Sequence, residues 1–161
     1  MENGSRIIDT TRRGTELHFS SPTDAARLAR AAAEELLAMG MPQLNLLLTG
    51  RNEAVQLVLR TLMGHVRKPV TTWSPGEPFV LPEVEHPGTL VLREVSALSI
   101  QQQHRLLEWS NDRRRNPRVI STTSTPLMPL VRAETFLDTL YYRLNTVFID
   151  LTAFDRARQS T

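Results

Sequence analysis

Cysteine is absent from this 161-residue chain, which excludes a disulfide framework and any thiolate-ligated metal site. Lysine is nearly absent: of the 19 basic residues only Lys68 is a lysine, so chemistry that needs an ammonium group has one position to draw on. Four histidines, at 18, 65, 86 and 104, are scattered without paired ligand spacing, and no metal site is expected. No run approaches the roughly 18 apolar residues of a membrane span. Met1-Glu2-Asn3-Gly4-Ser5-Arg6 lacks the apolar core of a signal peptide, and the expected location is cytoplasmic. A formal charge of +2 gives no strong electrostatic case for nucleic acid. Arg113, Arg114, Arg115 and Arg118 form the one basic cluster, read as a solvated helix end, with phosphate or nucleic-acid contact as the alternative.

What is present suits a single domain: hydrophobic residues make up 40% of the chain, ordinary for a globule. Residues 1–16 are polar except for Ile7-Ile8 and read as a flexible or strand-adding arm, residues 17–151 as the core, and 152–161 as a tail. Ser21-Pro22-Thr23-Asp24 carries the start signals of a helix that Gly40 ends, expected over about 22–39. Leu44–Thr49 and Thr89–Leu92 are short, nearly continuous apolar runs, as expected of parallel strands covered on both faces. Val119–Thr122 and Val147–Leu151 are further strand candidates. Helices are expected around Val58, Leu59 and Leu62 and from Ile100 to about Asp112, the latter with Ser99 and Gln102 capping each other. Prolines at 69, 75, 78, 82 and 87 predict an irregular connection with at most one strand, near Val70–Trp73. Strands alternating with helices point to a three-layer α/β domain with a parallel sheet.

A phosphate-binding loop of the form Gly-x4-Gly-Lys-(Ser/Thr) uses glycines so that backbone N–H groups can wrap phosphates, lysine to neutralise charge and a hydroxyl to hold Mg²⁺. After the strand at Leu46-Leu47-Leu48-Thr49, this chain reads Gly50-Arg51-Asn52-Glu53-Ala54-Val55-Gln56. The second glycine is missing, and Gln56 or Val55, depending on register, takes the lysine position. Lys68 lies too far along to restore it. Asn52 followed by Glu53 reads as a helix N-cap and a first-turn acid.

The run Gly88-Thr89-Leu90-Val91-Leu92-Arg93-Glu94-Val95-Ser96-Ala97-Leu98-Ser99 resembles the Walker B segment of the AAA+ activators of sigma-54 RNA polymerase, with Arg93 where that family has its metal-binding Asp. Phe136 to Asn145, with Tyr141-Tyr142-Arg143, is similar to the family's Phe-Arg-Glu-Asp-Leu-Tyr-Tyr-Arg-Leu-Asn. Arg118 to Ser124 is similar to its Arg-Val-Ile-Ala-Ala-Thr-Asn, and Leu46 to Gly50 to the strand entering its phosphate loop. The likeness covers roughly residues 20–151 and is weakest between Gly64 and Pro87.

The resemblance implies a P-loop NTPase-like AAA+ core, without the helical lid or a DNA-binding domain, in which the catalytic parts are degenerate. Glu94 keeps the position of the water-activating glutamate, Ser124 replaces the sensor asparagine, and Leu137 replaces the first arginine extended towards a neighbour. Arg143 matches the second such arginine, with pairing to Asp138 or Asp150 as its simpler role. The family's sigma-contacting Gly-Ala-Phe-Thr-Gly-Ala loop has no counterpart between Gly64 and Gly88. The expectation is a catalytically inactive regulatory or protein-interaction module in bacterial transcription, with no catalytic residues and no cofactor. Its partner would be an intact activator or a second copy, met through Tyr141, Tyr142 and Arg143. The alternative is a non-hydrolysing sensor of ATP or another purine nucleotide, with Gly50, Arg51, Gln56, Arg93 and Glu94 as residual contacts.

Overall fold

The computed structural model describes residues 7–11, 14–18, 44–83, 85, 88–112 and 118–152, with helical positions 31, 34 and 38. The helix expected over 22–39 lies outside the described residues apart from those three positions. Seven strands are described: β1 (Ile7–Thr11), β2 (Gly14–His18), β3 (Leu46–Thr49), β4 (Val70–Trp73), β5 (Thr89–Leu92), β6 (Arg118–Thr123) and β7 (Val147–Asp150). They form one sheet in the order β1-β2-β7-β3-β6-β5-β4. Only β1 and β2 are antiparallel; all other neighbours run parallel. Four helices are described: α1 (Asn52–Met63), α2 (Ile100–Asn111), α3 (Met128–Arg132) and α4 (Asp138–Leu144).

Side chains of successive strand residues point to opposite faces, and the apolar runs therefore serve two cores. Leu46 and Leu48 join Val91, Ile120, Val147 and Ile149 against Ala54, Val55, Val58, Leu59 and Leu62 of α1. The α1 contacts recur at helical spacing, which puts them on one face. Leu47, Leu90, Leu92 and Val119 face the other way, against Leu106 and Trp109 of α2 and Leu140 and Leu144 of α4. Each such side chain, fully buried, contributes about 1.5–3 kcal/mol. A sheet covered on both sides explains why β3, β5 and β6 are buried along their whole length.

The strands expected at Thr89–Leu92 and Val70–Trp73 occupy those residues. Leu44 is 40% exposed and lies outside β3; Asn45 beside it serves as a polar tie. The side-chain amide of Asn45 accepts from Val119 N at 2.9 Å and donates to the Arg143 carbonyl at 2.9 Å, while its own carbonyl accepts from Val147 N at 3.0 Å. Ser99 and Gln102 form the expected reciprocal cap of α2. Among the described residues of the arm drawn over 1–16, β1 pairs antiparallel with β2, and β2 runs parallel to β7 and crosses the boundary drawn at residue 17. Gly88 sits where β4 and β5 begin, at φ +55, and a Cβ there would come within 1.9 Å of the Pro69 carbonyl oxygen.

Arg118 departs from its expected place in a solvated basic cluster. It opens β6, is only 5% exposed, and its pKa is lowered to about 10, first by desolvation and second by the charge of Arg67. Residues 113–115 lie outside the described residues.

Candidate functional site

Parallel strands deliver their C-terminal ends to one edge of the sheet, where α/β domains bind ligands. That edge carries Gly50 and Arg51 after β3, Arg93 and Glu94 after β5, and Ser124 after β6. All five residues expected at a residual nucleotide site, Gly50, Arg51, Gln56, Arg93 and Glu94, are on or beside it. Tyr141, Tyr142 and Arg143 are not: they sit on α4, which leads into the opposite end of β7.

The connection from β3 to α1 is very short. Gly50 donates to the Thr123 carbonyl at 3.1 Å, and the helical ladder begins with Val55 N donating to the Arg51 carbonyl at 3.1 Å. The N-cap is thus Arg51, in extended conformation and without a side-chain cap bond, and not Asn52 as the sequence suggests. Asn52 instead accepts from the Gln56 amide within the helix at 3.3 Å, and Glu53 is the first-turn acid, as expected. Because the helix starts at Asn52, residues 52–55, which in a phosphate loop would wrap the anion, are helical, and Ala54 and Val55 are buried in the core. Gln56 is thereby carried past the first turn. Lys68 precedes β4, at the opposite edge of the parallel sheet, so the fold supplies no lysine from elsewhere.

Arg93 is held by its backbone, donating to the Trp73 carbonyl at 2.9 Å. Its guanidinium reaches across to α1, where Nη2 donates to Gln56 Oε1 at 3.5 Å, a long and therefore weak bond. Nε is buried without a hydrogen-bond partner. A cation on the strand β5 side and a neutral amide on α1 are thus in mutual contact. The donor set does not fit Mg²⁺: a guanidinium repels the ion that a carboxylate would attract.

Glu94 has φ +47 and ψ +58, the left-handed region, which costs a non-glycine residue about 1–2 kcal/mol. Its carboxylate offsets that cost locally: Oε2 accepts from Ser124 N at 3.2 Å and from Ser124 Oγ at 3.0 Å. Its own N donates to Thr122 Oγ1 at 3.4 Å. Glu94 then opens a 3-10 turn, Val95–Ala97.

On α4, Tyr141 and Tyr142 meet edge to face at 5.2 Å. The Tyr141 hydroxyl accepts from Asn145 at 3.0 Å, while Tyr142 is 41% exposed. Arg143 donates to the Ser110 carbonyl at the end of α2, at 3.2 Å. The expected acidic partners are engaged elsewhere, Asp138 with Thr139 N and Asp150 with Thr152 N. Sequence reasoning passed over Gln103. This buried side chain (1% exposed) donates to the carbonyls of Leu98 and Thr135 and accepts from Leu137 N. Its signal was an amide on the buried face of α2, in register with Leu106 and Trp109.

This arrangement is that of a P-loop NTPase-like AAA+ core. Similar solved structures include NtrX from Brucella abortus in complex with ATP (19% identity, TM-score 0.64, covering 83% of this chain and 36% of that one). A Drosophila ORC structure bound to DNA matches at 12% identity and TM-score 0.56, over 82% of this chain and 94% of its own. Residues 34–154 match the profile of the sigma-54 interaction domain, and the chain belongs to that family. The protein described as "Uncharacterized protein in HyuA 5'region" from Pseudomonas sp. (strain NS671) is 31% identical over 90 residues, 49% of this chain and 30% of that protein. The chain therefore spans about a third of the length of NtrX and of this relative. No described helix is long and apolar enough to cross a membrane.

Proposed function

We propose that this chain is a non-hydrolysing member of the sigma-54 interaction domain family, acting as a regulatory protein-interaction module in bacterial transcription. One observation carries the reading: α1 begins directly after Gly50 and Arg51, and Arg93 contacts Gln56. Phosphoryl-transfer catalysis is mostly positioning and charge stabilisation, and here the loop, the lysine and the metal carboxylate are all replaced. The partner in this reading is an intact AAA+ activator or a second copy, met through the α4 face that bears Tyr142 and Arg143. The location consistent with such a partner is the cytoplasm.

The test is to titrate the purified chain into an intact activator from the same cell while following ATPase rate and sedimentation. The expected result is co-sedimentation with a lowered rate, without Mg²⁺-dependent hydrolysis by the chain alone. An unchanged rate and no co-sedimentation at tens of micromolar would overturn the interaction reading.

A second reading is favoured by the Arg93 guanidinium, whose Nε is buried without a hydrogen-bond partner and whose contact with Gln56 is long. Such a group accommodates an anion, and ATP or another purine nucleotide could be sensed there without turnover. A thermal melt against a nucleotide panel separates the readings, because a ligand that binds only the folded state raises stability by mass action.

A further inference from the structure

We propose that Gln103 couples the Arg93–Glu94 edge to the α4 face, so that a change in the conformation of Glu94 is felt at Tyr141, Tyr142 and Arg143 on the far side of the domain. The test of this coupling does not depend on the function proposed above. Only its consequence, transmission to a docking partner, rests on α4 being the docking face.

The chain of contacts is continuous. Glu94 is kept in the left-handed region by the two bonds that its carboxylate accepts from Ser124. The turn it opens closes through Ala97 N to the Glu94 carbonyl at 2.9 Å and Leu98 N to the Val95 carbonyl at 3.2 Å. The Leu98 carbonyl at the end of that turn accepts from Gln103 Nε2 at 3.0 Å. The same amide nitrogen donates to the Thr135 carbonyl at 3.1 Å, and Gln103 Oε1 accepts from Leu137 N at 2.8 Å. Leu137 is the N-cap of α4. One buried side chain therefore holds the 3-10 turn with one hand and the start of α4 with the other. At the far end of α4, Arg143 donates to Ser110 on α2, so the two helices are clasped at both ends.

The physical argument rests on burial and on stored strain. Released from Ser124, Glu94 has a local incentive to leave the left-handed region, and the turn must rearrange when it does. A shift of the Leu98 carbonyl leaves a Gln103 donor unsatisfied in a dry environment, which costs more than a hydrogen bond is worth when made. Gln103 must then follow, and it cannot do so without disturbing its bonds to Thr135 and Leu137. An apolar residue at 103 would let the turn and α4 move independently.

The test is hydrogen–deuterium exchange of the full chain. Glu94→Ala and, separately, Ser124→Ala should each speed exchange of the α4 amides, Tyr141 and Asn145 among them, by about 3- to 10-fold, the range set by losing one net hydrogen bond. Arg60→Ala, an exposed change in the last turn of α1 on the other face, should leave α4 unchanged. Gln103→Leu removes both donated bonds and the one accepted from Leu137 N. In that background Glu94→Ala should no longer accelerate α4, because the link is already cut. Acceleration confined to residues 94–98 and 122–125 in both Glu94→Ala and Ser124→Ala would overturn the proposal, whether or not the Gln103 variant folds. So would an undiminished effect of Glu94→Ala in a folded Gln103→Leu chain.

Discussion

Gly50 and Leu151 lie back to back: a Cβ built on Gly50 would meet the Leu151 Cβ at 2.8 Å, and Leu151 is itself fully buried. The tie is reinforced by Leu151 N donating to the Thr49 carbonyl at 2.7 Å. The glycine that looks like the relic of a phosphate loop is therefore required by packing between the ends of β3 and β7.

Gly50→Ala should destabilise the domain by about 1–3 kcal/mol, the cost of forcing atoms into a filled core. The check is the denaturant midpoint at constant slope. A midpoint within error of the parent would mean that residues 50 and 151 can separate freely.

Installing lysine at 56 and aspartate at 93 should not confer catalysis. The double variant Gln56→Lys with Arg93→Asp is expected to release no phosphate from Mg²⁺-ATP above the buffer rate, because α1 starts at Asn52 and leaves no loop whose backbone amides could wrap the phosphates. Turnover in this variant, lost again on Glu94→Gln, would show that the short connection can open.

Ser99→Ala should cost about 1 kcal/mol, the usual worth of an N-cap hydroxyl. It removes the bond that Ser99 Oγ accepts from Gln102 N at 3.2 Å, while the backbone N–H of residue 99 can still donate to Gln102 Oε1, at 2.9 Å in the parent. Thermal unfolding measures it, and a change no larger than that of an exposed surface substitution would contradict the capping geometry.

Arg118→Met takes a desolvated cation out of the start of β6, and its stability relative to the parent should change with pH. The sign with pH follows from the lowered pKa. Below about 10, Arg118 is protonated in both states and the difference between variant and parent is flat. Above about 10 the folded chain gives up the proton first while the unfolded chain still holds it, so the parent gains stability as pH rises and the difference moves in its favour. Urea midpoints for both chains at pH 7, 9 and 11 test this, and a difference that widens in the variant's favour above pH 10 would refute the assignment.

The parts legible in the sequence are those written in neighbouring residues. The runs Thr89–Leu92 and Val70–Trp73 announced their strands, and Ser99 with Gln102 announced the cap three residues apart. Asn52 misled because an N-cap asparagine and an asparagine one residue inside a helix look alike locally. The core contacts of Ala54 and Val55 draw the helix start back to Arg51.

Taken alone, the sequence determined that Lys68 is the one lysine and that arginine stands at 93, and that apolar runs alternating with helices would form a parallel α/β sheet. These are matters of composition and short-range order, complete before folding. Only the tertiary structure decided why Gly50 must be glycine, that Arg143 turns to the Ser110 carbonyl, that Arg118 is buried, and that Gln103 joins two elements whose bonded residues lie as far as 34 positions apart. The reason is physical: a polar side chain's role is set by which donors and acceptors share its desolvated volume, and the packing of the two cores on the sheet assembles that set.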